Sequence, residues 1–322
     1  MRSRPGESPV ARMFGTWCLC LGTVWLFFIG GRLNPIVSLF TVSLTPLPVY
    51  LAGRRLGSLA GCLLVLAAFL LLGNWHHDLE TVVKNLGFVE LLVLGVLLST
   101  LESRGWTADW AMIISVAALA LLGLILLAGQ AYVAGTTLKE VYFQKTGELT
   151  EMLTTVLAGA GSQPAGVKVM GVSLEEMKTM IRSMLPALVI TNTGLVAWIN
   201  VLLARKLMVV FKWSEPEPPL QSWSTPEWLI FPVLVAGFLL LLPVTMVRLV
   251  SMNLLAVLAL LYFFQGMAVI AAWFQRFRVP MFVRCLGYPL MFLQPLFLLV
   301  ITVLGLSDIW LDFRKLQQPK DV

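Results

Sequence analysis

The 322-residue chain is 58% hydrophobic and only 12% charged, with a formal net charge of +6. Soluble globular domains use roughly 25% charged residues, so the composition excludes a water-soluble enzyme or binding module and describes a protein built mainly in lipid. The basic excess follows from retention of Lys and Arg in cytoplasmic loops, and no nucleic-acid partner is expected.

Apolar stretches long enough to cross a hydrocarbon core of ~30 Å recur from end to end. The length rule gives nine candidates, at 14–31, 35–52, 57–73, 86–101, 110–130, 186–205, 229–247, 253–274 and 284–306. Those ending at 31, 73 and 101 are short, so the expected fold is an all-α polytopic bundle of about eight or nine transmembrane spans, wrapped by the lipid bilayer. Arg2, Arg4 and Arg12 precede the first span, in a tail over 1–13 read as cytoplasmic. No small-x-small cleavage site follows, which makes this an uncleaved span and not a signal peptide.

The stretch TPLPVYLAGRRLGSLAGC (45–62) gathers residues that sit badly in lipid. Pro46 and Pro48 interrupt backbone hydrogen bonding, which a span tolerates only where neighbouring helices or water satisfy the freed carbonyls. Arg54 and Arg55 place the following turn on the cytoplasmic side. Gly53, Gly57 and Gly61 recur every four residues, and the turn leaves Gly57 and Gly61 as the small-xxx-small pair expected to pack another helix.

His76, His77, Asp78 and Glu80 form one cluster of metal-ligand types. Adjacent histidines point apart on a helix and to opposite faces of a strand, so no metal is expected there. Cys18, Cys20, Cys62 and Cys285 lie in apolar runs without C-x-x-C spacing and read as small hydrophobes. Glu90, in NLGFVELLVLG, is the clearest carboxylate inside a span, about one turn from its end, and an intramembrane ionisable residue is a functional hypothesis by default.

Residues 131–185 cannot be a span. Leu138, Val141, Tyr142, Leu149, Met152 and Leu153 fall at three-and-four spacing, with Lys139, Glu140, Lys145 and Glu148 mainly on other faces. GAGSQPAG (159–166) is a break, and Ser173 with Glu176 makes a capping box for a second helix that ends where Pro186 enters the sixth span. An extracytoplasmic amphipathic hairpin results, either a lid or docking element over a substrate entrance or a cover for the bundle ends.

Asn192 and Asn200 follow in the span at 186–205, with Gln265 and Gln294 further on. Such residues contact substrate or join helices. With spans 6–9 over 186–306, an N-terminus inside the cell puts 12 of the 23 Lys and Arg on the cytoplasmic side, against six outside once 131–183 is set aside. The polar tail over 307–322 is the discordant part. GLSDIWLDFRK holds Asp308 and Asp312 at i, i+4, with Trp310, Phe313 and Arg314, as suits a helix end at the headgroup level or a lock on the bundle rim. No H-E-x-x-H, G-x-S-x-G, Walker or dinucleotide motif occurs, so neither catalysis nor a cofactor is expected.

PLPVYLAGRRLGSLAG, LPALVITNTGLVAWINVLLARKL, WSTPEWLIFPVLVAGFLLLL, YFFQGMAVIAAWFQR and the closing GLSDIWLDFRK together resemble the YybS-like family of bacterial membrane proteins, a domain of unknown function. The resemblance covers nearly the whole chain and is most specific at the closing motif. It implies a bacterial cytoplasmic membrane protein and no particular chemistry.

The proline-bearing span that ends in LAGRRLG and runs on into GSLAG is also similar to early spans of S components of energy-coupling-factor vitamin importers. That similarity covers about the first two hundred residues and implies a small-molecule site inside a six-helix bundle. GTWCLCLGTVWLFFIGG lacks the alanine-x-x-x-alanine face with which S components dock on their coupling partner. Two functions are therefore expected to compete. One is a small-molecule-binding or transport-related component with Glu90, Asn192 and Asn200 around a polar mid-membrane cavity. The other is a scaffold whose hairpin or C-terminal helix contacts a membrane protein partner.

Overall fold

The computed structural model describes residues 9–33, 35–75, 86–144, 146–147, 174–213, 223–293 and 295–314. The regular elements among them are helices: α1 (Pro9–Leu33), α2 (Pro35–Ser43), α3 (Pro46–Leu56), α4 (Ser58–Trp75), α5 (Leu86–Ser103), α6 (Ala108–Ala134), α7 (Leu174–Val210), α8 (Ile230–Leu239), α9 (Thr245–Arg276), α10 (Met281–Leu293) and α11 (Pro295–Leu311). A single 3-10 turn, Glu227–Leu229, leads into α8, and 138–144 form a short helical stretch. The His76–Glu80 cluster, most of the expected hairpin with its Ser173 cap, Gln294 and the tail beyond Arg314 lie outside the described residues.

Among the described residues four helices are long and apolar enough to cross a bilayer alone, at Met13–Gly31, Ala108–Ala134, Lys178–Val210 and Thr245–Arg276. Ser58–Leu71, Glu227–Leu239 and Leu296–Leu311 are shorter apolar helices. Of the nine expected stretches, proline interrupts two. The 35–52 stretch breaks before Pro46, and the 229–247 stretch stops at Leu239 ahead of Pro243. Proline has no N–H for the helix ladder and pushes the residue before it out of the α region. The boundary expected at 185/186 is absent, because Pro186 lies within the continuous α7.

The chain divides into two compact units, Met1–Gly129 with Asn192–Glu217, and Gln130–Thr191 with Pro218–Val322. In unit 1, α3 is the centre, with every residue from Pro46 to Gly53 buried. One face, Leu47, Tyr50 and Leu51, packs with Leu94 and Leu98 of α5 and Val201 and Ala204 of α7. The other, Val49 and Ala52, packs with Val24 of α1, Leu64 and Ala68 of α4 and Leu92 of α5.

Small residues permit this packing where lipid supplies little hydrophobic drive between helices. A Cβ added at Gly95 would meet Val49 at 2.9 Å and the Tyr50 nitrogen at 3.2 Å, and one at Gly61 would lie 3.6 Å from the Gly53 Cα. Gly57 has open space around it and a φ of 96°, so it makes the turn that ends α3 instead of packing against a neighbour. The expected Gly57–Gly61 seam is thus a Gly53–Gly61 contact across that turn, because α4 begins only at Ser58.

The α2–α3 break is closed by local bonds from Thr45 N–H to the Val42 carbonyl (3.2 Å) and Leu47 N–H to the Leu44 carbonyl (3.1 Å). Asn200 Nδ2 of α7 donates to the Ser43 carbonyl at 2.7 Å. A long-range side chain thereby completes the interrupted backbone.

Unit 2 is built on α9, whose residues from Tyr262 to Ala271 are buried. Gly266 and Gly305 bring α9 and α11 into backbone contact, since a Cβ on Gly305 would collide with the Tyr262 carbonyl and one on Gly266 with the Ile301 carbonyl. Pro186 leaves the Arg182 carbonyl without its usual i+4 donor, and the Tyr142 hydroxyl donates to it at 2.7 Å. One residue on, Asn253 of α9 accepts from Ala187 N–H (3.0 Å) and donates to the Ser183 carbonyl (2.9 Å), replacing another helical bond. At the far end of α9, Arg284 of α10 donates to the carbonyls of Phe274 and Val279 at 2.9 and 2.8 Å and caps the helix.

Candidate functional site

Unit 1 has a charged end. Gly53 lets α3 approach Ser99 of α5, where any Cβ would collide with the serine, and the two helices run the same way, bringing Tyr50 and Arg54 to Glu102. Tyr50 is fully buried and its hydroxyl donates to Glu102 Oε2. Arg54 Nε lies 3.6 Å from Glu102 Oε2, and Arg205 Nη2 of α7 lies 3.8 Å from Oε1. The carboxylate side chain is 4% exposed against 22% and 27% for the two arginines, so a nearly dry anion holds two cations that still reach solvent. A buried carboxylate is tolerable only with such partners. Arg55, next on α3, places its guanidinium carbon 4.0 Å from the ring centre of Trp213.

The expected ligand set stands differently. Asn200 is fully buried with both amide hydrogens used, toward Ser43 and, at 2.7 Å, toward the Val196 carbonyl. Its place is a dry helix interface. Glu90 is half-buried, one turn before Leu94, and Asn192 is exposed, one turn before Val196. Glu102 and Arg205 meet where α5 and α7 end, and Glu90 and Asn192 lie twelve and thirteen residues back along those helices, about 18 and 20 Å away. The two thus share a height at the opposite end of unit 1 from the arginines. No hydrogen bond or ion pair reaches Glu90 from the described residues, unlike Glu102 and Asp308.

A cavity near this end, bounded by Val24, Trp25 and Phe28 of α1, Ala68 and Leu71 of α4 and Phe88 of α5, is apolar and holds ≈ 10 Å³. That is about the room one water needs. None of Glu90, Asn192 and Asn200 lines that cavity among the described residues. No group of three or more His, Cys, Asp or Glu side chains is placed to hold a metal among them either.

The closing motif makes a second buried network, in unit 2. Asp308 Oδ2 accepts from Arg314 Nη2 at 2.6 Å and Nε at 3.0 Å and from Gln265 Nε2 at 3.0 Å, while Oδ1 accepts from Phe313 N–H at 3.1 Å. Both charged side chains are at most 3% exposed. Gln265 Oε1 accepts from Thr225, and Arg314 Nη1 donates to the Trp223 carbonyl. Asp312 takes a φ of 38° that turns the chain back so Arg314 can reach Asp308, and Phe313 meets Trp273 edge-on at 5.8 Å. Trp310 is 65% exposed and takes no part.

The family model described as a predicted membrane protein, DUF2232, matches residues 23–309. The chain belongs to the DUF2232 family. No curated protein and no solved structure matches it. The DUF2232 match includes Glu90, Asn192, Asn200 and the Glu102 cluster and ends one residue past Asp308, so Trp310, Asp312, Phe313 and Arg314 stand beyond it. Being a multi-pass DUF2232 protein, it contacts the lipid bilayer over its exposed apolar faces, such as Leu59, Leu63, Leu66 and Leu70 of α4.

Sequence reasoning passed over Tyr50 and Glu102, the pivot of the charged end. The available signal was two carboxylates on one apolar helix, with a serine pair, Ser99 and Ser103, beside the second. It also passed over Asn253, Gly266 and Gly305. Each is an isolated polar or small residue in an apolar run, a pattern that marks helix contacts without naming the partner.

Proposed function

We infer that this DUF2232 protein binds a small molecule at the Glu90 end of unit 1 and carries out no catalytic step. The observation that carries the reading is Glu90 itself, a half-buried carboxylate within a helix that has no partner among the described residues, whereas Glu102 and Asp308 are each held by arginine. Uncompensated carboxylates in a bilayer are expensive and are kept where they meet a ligand, a cation or a proton. A ligand with a protonated amine or strong hydrogen-bond donor fits, with the Asn192 amide at the same height. Unit 1 supplies six helical segments when α2 and α3 are counted as one interrupted span, which supports the likeness to S components. The arginine end then faces the cytoplasm of a bacterial cell, the Glu90 end faces outward, and shorter helices bring the crossings to about eight or nine.

Mass spectrometry of small molecules co-purifying with the detergent-solubilised protein tests this. A species retained by the wild type and lost in Glu90→Gln, with unchanged melting, is the expected result. Equal retention in both, or nothing retained by either, overturns it. The rival reading, a partner-binding scaffold, is favoured by the dry burial of Asn200. It predicts co-purifying proteins whose recovery falls when residues 136–170 are removed.

A further inference from the structure

We propose that the outward face of α8, headed by Glu227, docks a transmembrane helix of another protein that carries an arginine at mid-span. Glu227 opens the 3-10 turn that leads into α8, and this turn begins inside the bilayer. Thr225 N–H, two residues ahead, donates to Gln265 Oε1 of α9 at 3.2 Å. Gln265 lies 17 residues past Arg248 and 11 before Arg276, the two charges of α9, or about 25 and 17 Å along the helix. Residues 240–244 form a short link between α8 and α9, so the two run antiparallel and α8 leads from Gln265 toward the Arg248 end. The Glu227 carboxylate therefore stands about half-way between the two arginines, near the middle of the hydrocarbon. The non-helical backbone before it persists at this depth because Gln265 answers Thr225 and Arg314 answers the Trp223 carbonyl.

Glu227 is exposed, and no hydrogen bond or ion pair reaches it from the described residues, whereas Asp308 beside Gln265 is held by Arg314. It heads a stripe of Phe231, Leu234 and Phe238 at helical spacing, with Trp228 next to it, each of them at least 51% exposed. Ala236, on the opposite side of α8, is fully buried. Acyl chains can cover the apolar part of this face but give the carboxylate no counter-charge, which a bilayer makes expensive. A guanidinium meets a carboxylate with paired N–H donors and stacks on aromatic rings, so arginine suits Glu227 with Trp228 and Phe231 beside it. A second copy is a poor occupant: two α8 faces meeting about a two-fold axis would set one Glu227 near the other. This face belongs to unit 2 and does not rest on the small-molecule reading at Glu90.

Energy transfer in phosphatidylcholine vesicles, between the full-length protein labelled at its N-terminus and synthetic leucine-rich transmembrane peptides of about 20 residues, tests the assignment. A peptide with one central arginine should associate about ten-fold more tightly than the same peptide with leucine there. Glu227→Gln should remove that preference with unchanged melting, and Phe231→Ala should weaken it several-fold. Glu90→Gln should leave it intact. Equal association of the two peptides, a preference that survives Glu227→Gln, or one that is lost in Glu90→Gln would each overturn the proposal. Self-association of the protein that outcompetes the arginine peptide and is lost in Glu227→Gln would overturn it in favour of a second copy.

Discussion

At the level of single residues, the chain treats its buried charges as groups that must be answered. Asp308→Ala would strip the Arg314 guanidinium, 3% exposed, of its buried carboxylate partner. Breaking such a pair costs about 3–5 kcal/mol, while the double change Asp308→Leu with Arg314→Met recovers much of it. Thermal unfolding in detergent of the two variants reads that difference. Outside the spans, Thr137 and Glu140 cap the helical stretch reciprocally: Thr137 N–H donates to Glu140 Oε2 at 2.8 Å, and Glu140 N–H to Thr137 Oγ1 at 3.3 Å. These bonds, the backbone one foremost, hold the Glu140 carboxyl below its ordinary value.

A depressed carboxyl stabilises above its unfolded pKa, about 4.3, and the gain fades as pH falls through the folded value. The protection factor of the Thr137 amide, its intrinsic exchange rate over the observed rate at the same pH, should therefore fall in acid, and Glu140→Gln should remove that change. The T-x-x-E signature was plain in the sequence, yet Thr137 is embedded in a longer amphipathic pattern that hides where the helix begins. Glu102 was harder to find. At the rim of a span beside Arg104 it looks like a headgroup residue, and only Arg54 and Arg205, 48 positions before and 103 after, make it buried.

Between elements, glycine and proline decide how helices meet. In α8, Gly237 has nothing within 4 Å of an added Cβ, so Gly237→Ala should raise stability by about 0.5–1 kcal/mol through helix propensity. Gly305→Ala should lower it by about 1–3 kcal/mol, because the methyl meets the Tyr262 carbonyl. Opposite shifts of melting temperature for one chemical change are the expected result. The Pro186 break offers a second test. Tyr142→Phe removes the donor to Arg182 and should cost about 1 kcal/mol, but next to nothing in a Pro186→Ala background, where the helix supplies its own N–H.

The prolines announced these interruptions in the sequence. Their partners could not be read there, since Asn200 lies 157 positions from Ser43 and Asn253 lies 70 from Ser183. An asparagine in an apolar helix has the same appearance whether it serves a ligand or a neighbour's backbone. Asn200 serves the backbone.

For the whole molecule, opposite ends of unit 1 should face opposite sides of the membrane. In a cysteine-free background, an impermeant maleimide should label cysteine at position 87 in intact cells and at position 104 only after lysis. The reverse pattern would invert the inferred orientation. That the chain lives in lipid was legible from composition, because apolar content determines the solvent. Span number was not, since helix length depends on where each proline finds its rescuer.

The Glu102 cluster also bears on how the protein is made. Arg54 enters the membrane region with a helix of 11 residues, while Glu102 and Arg205 are 48 and 151 positions from synthesis. At 5–20 residues per second, Arg205 follows Arg54 by about 8–30 s. During that interval Glu102 can meet Arg54 but not Arg205, so these three groups come together only once α7 has been made.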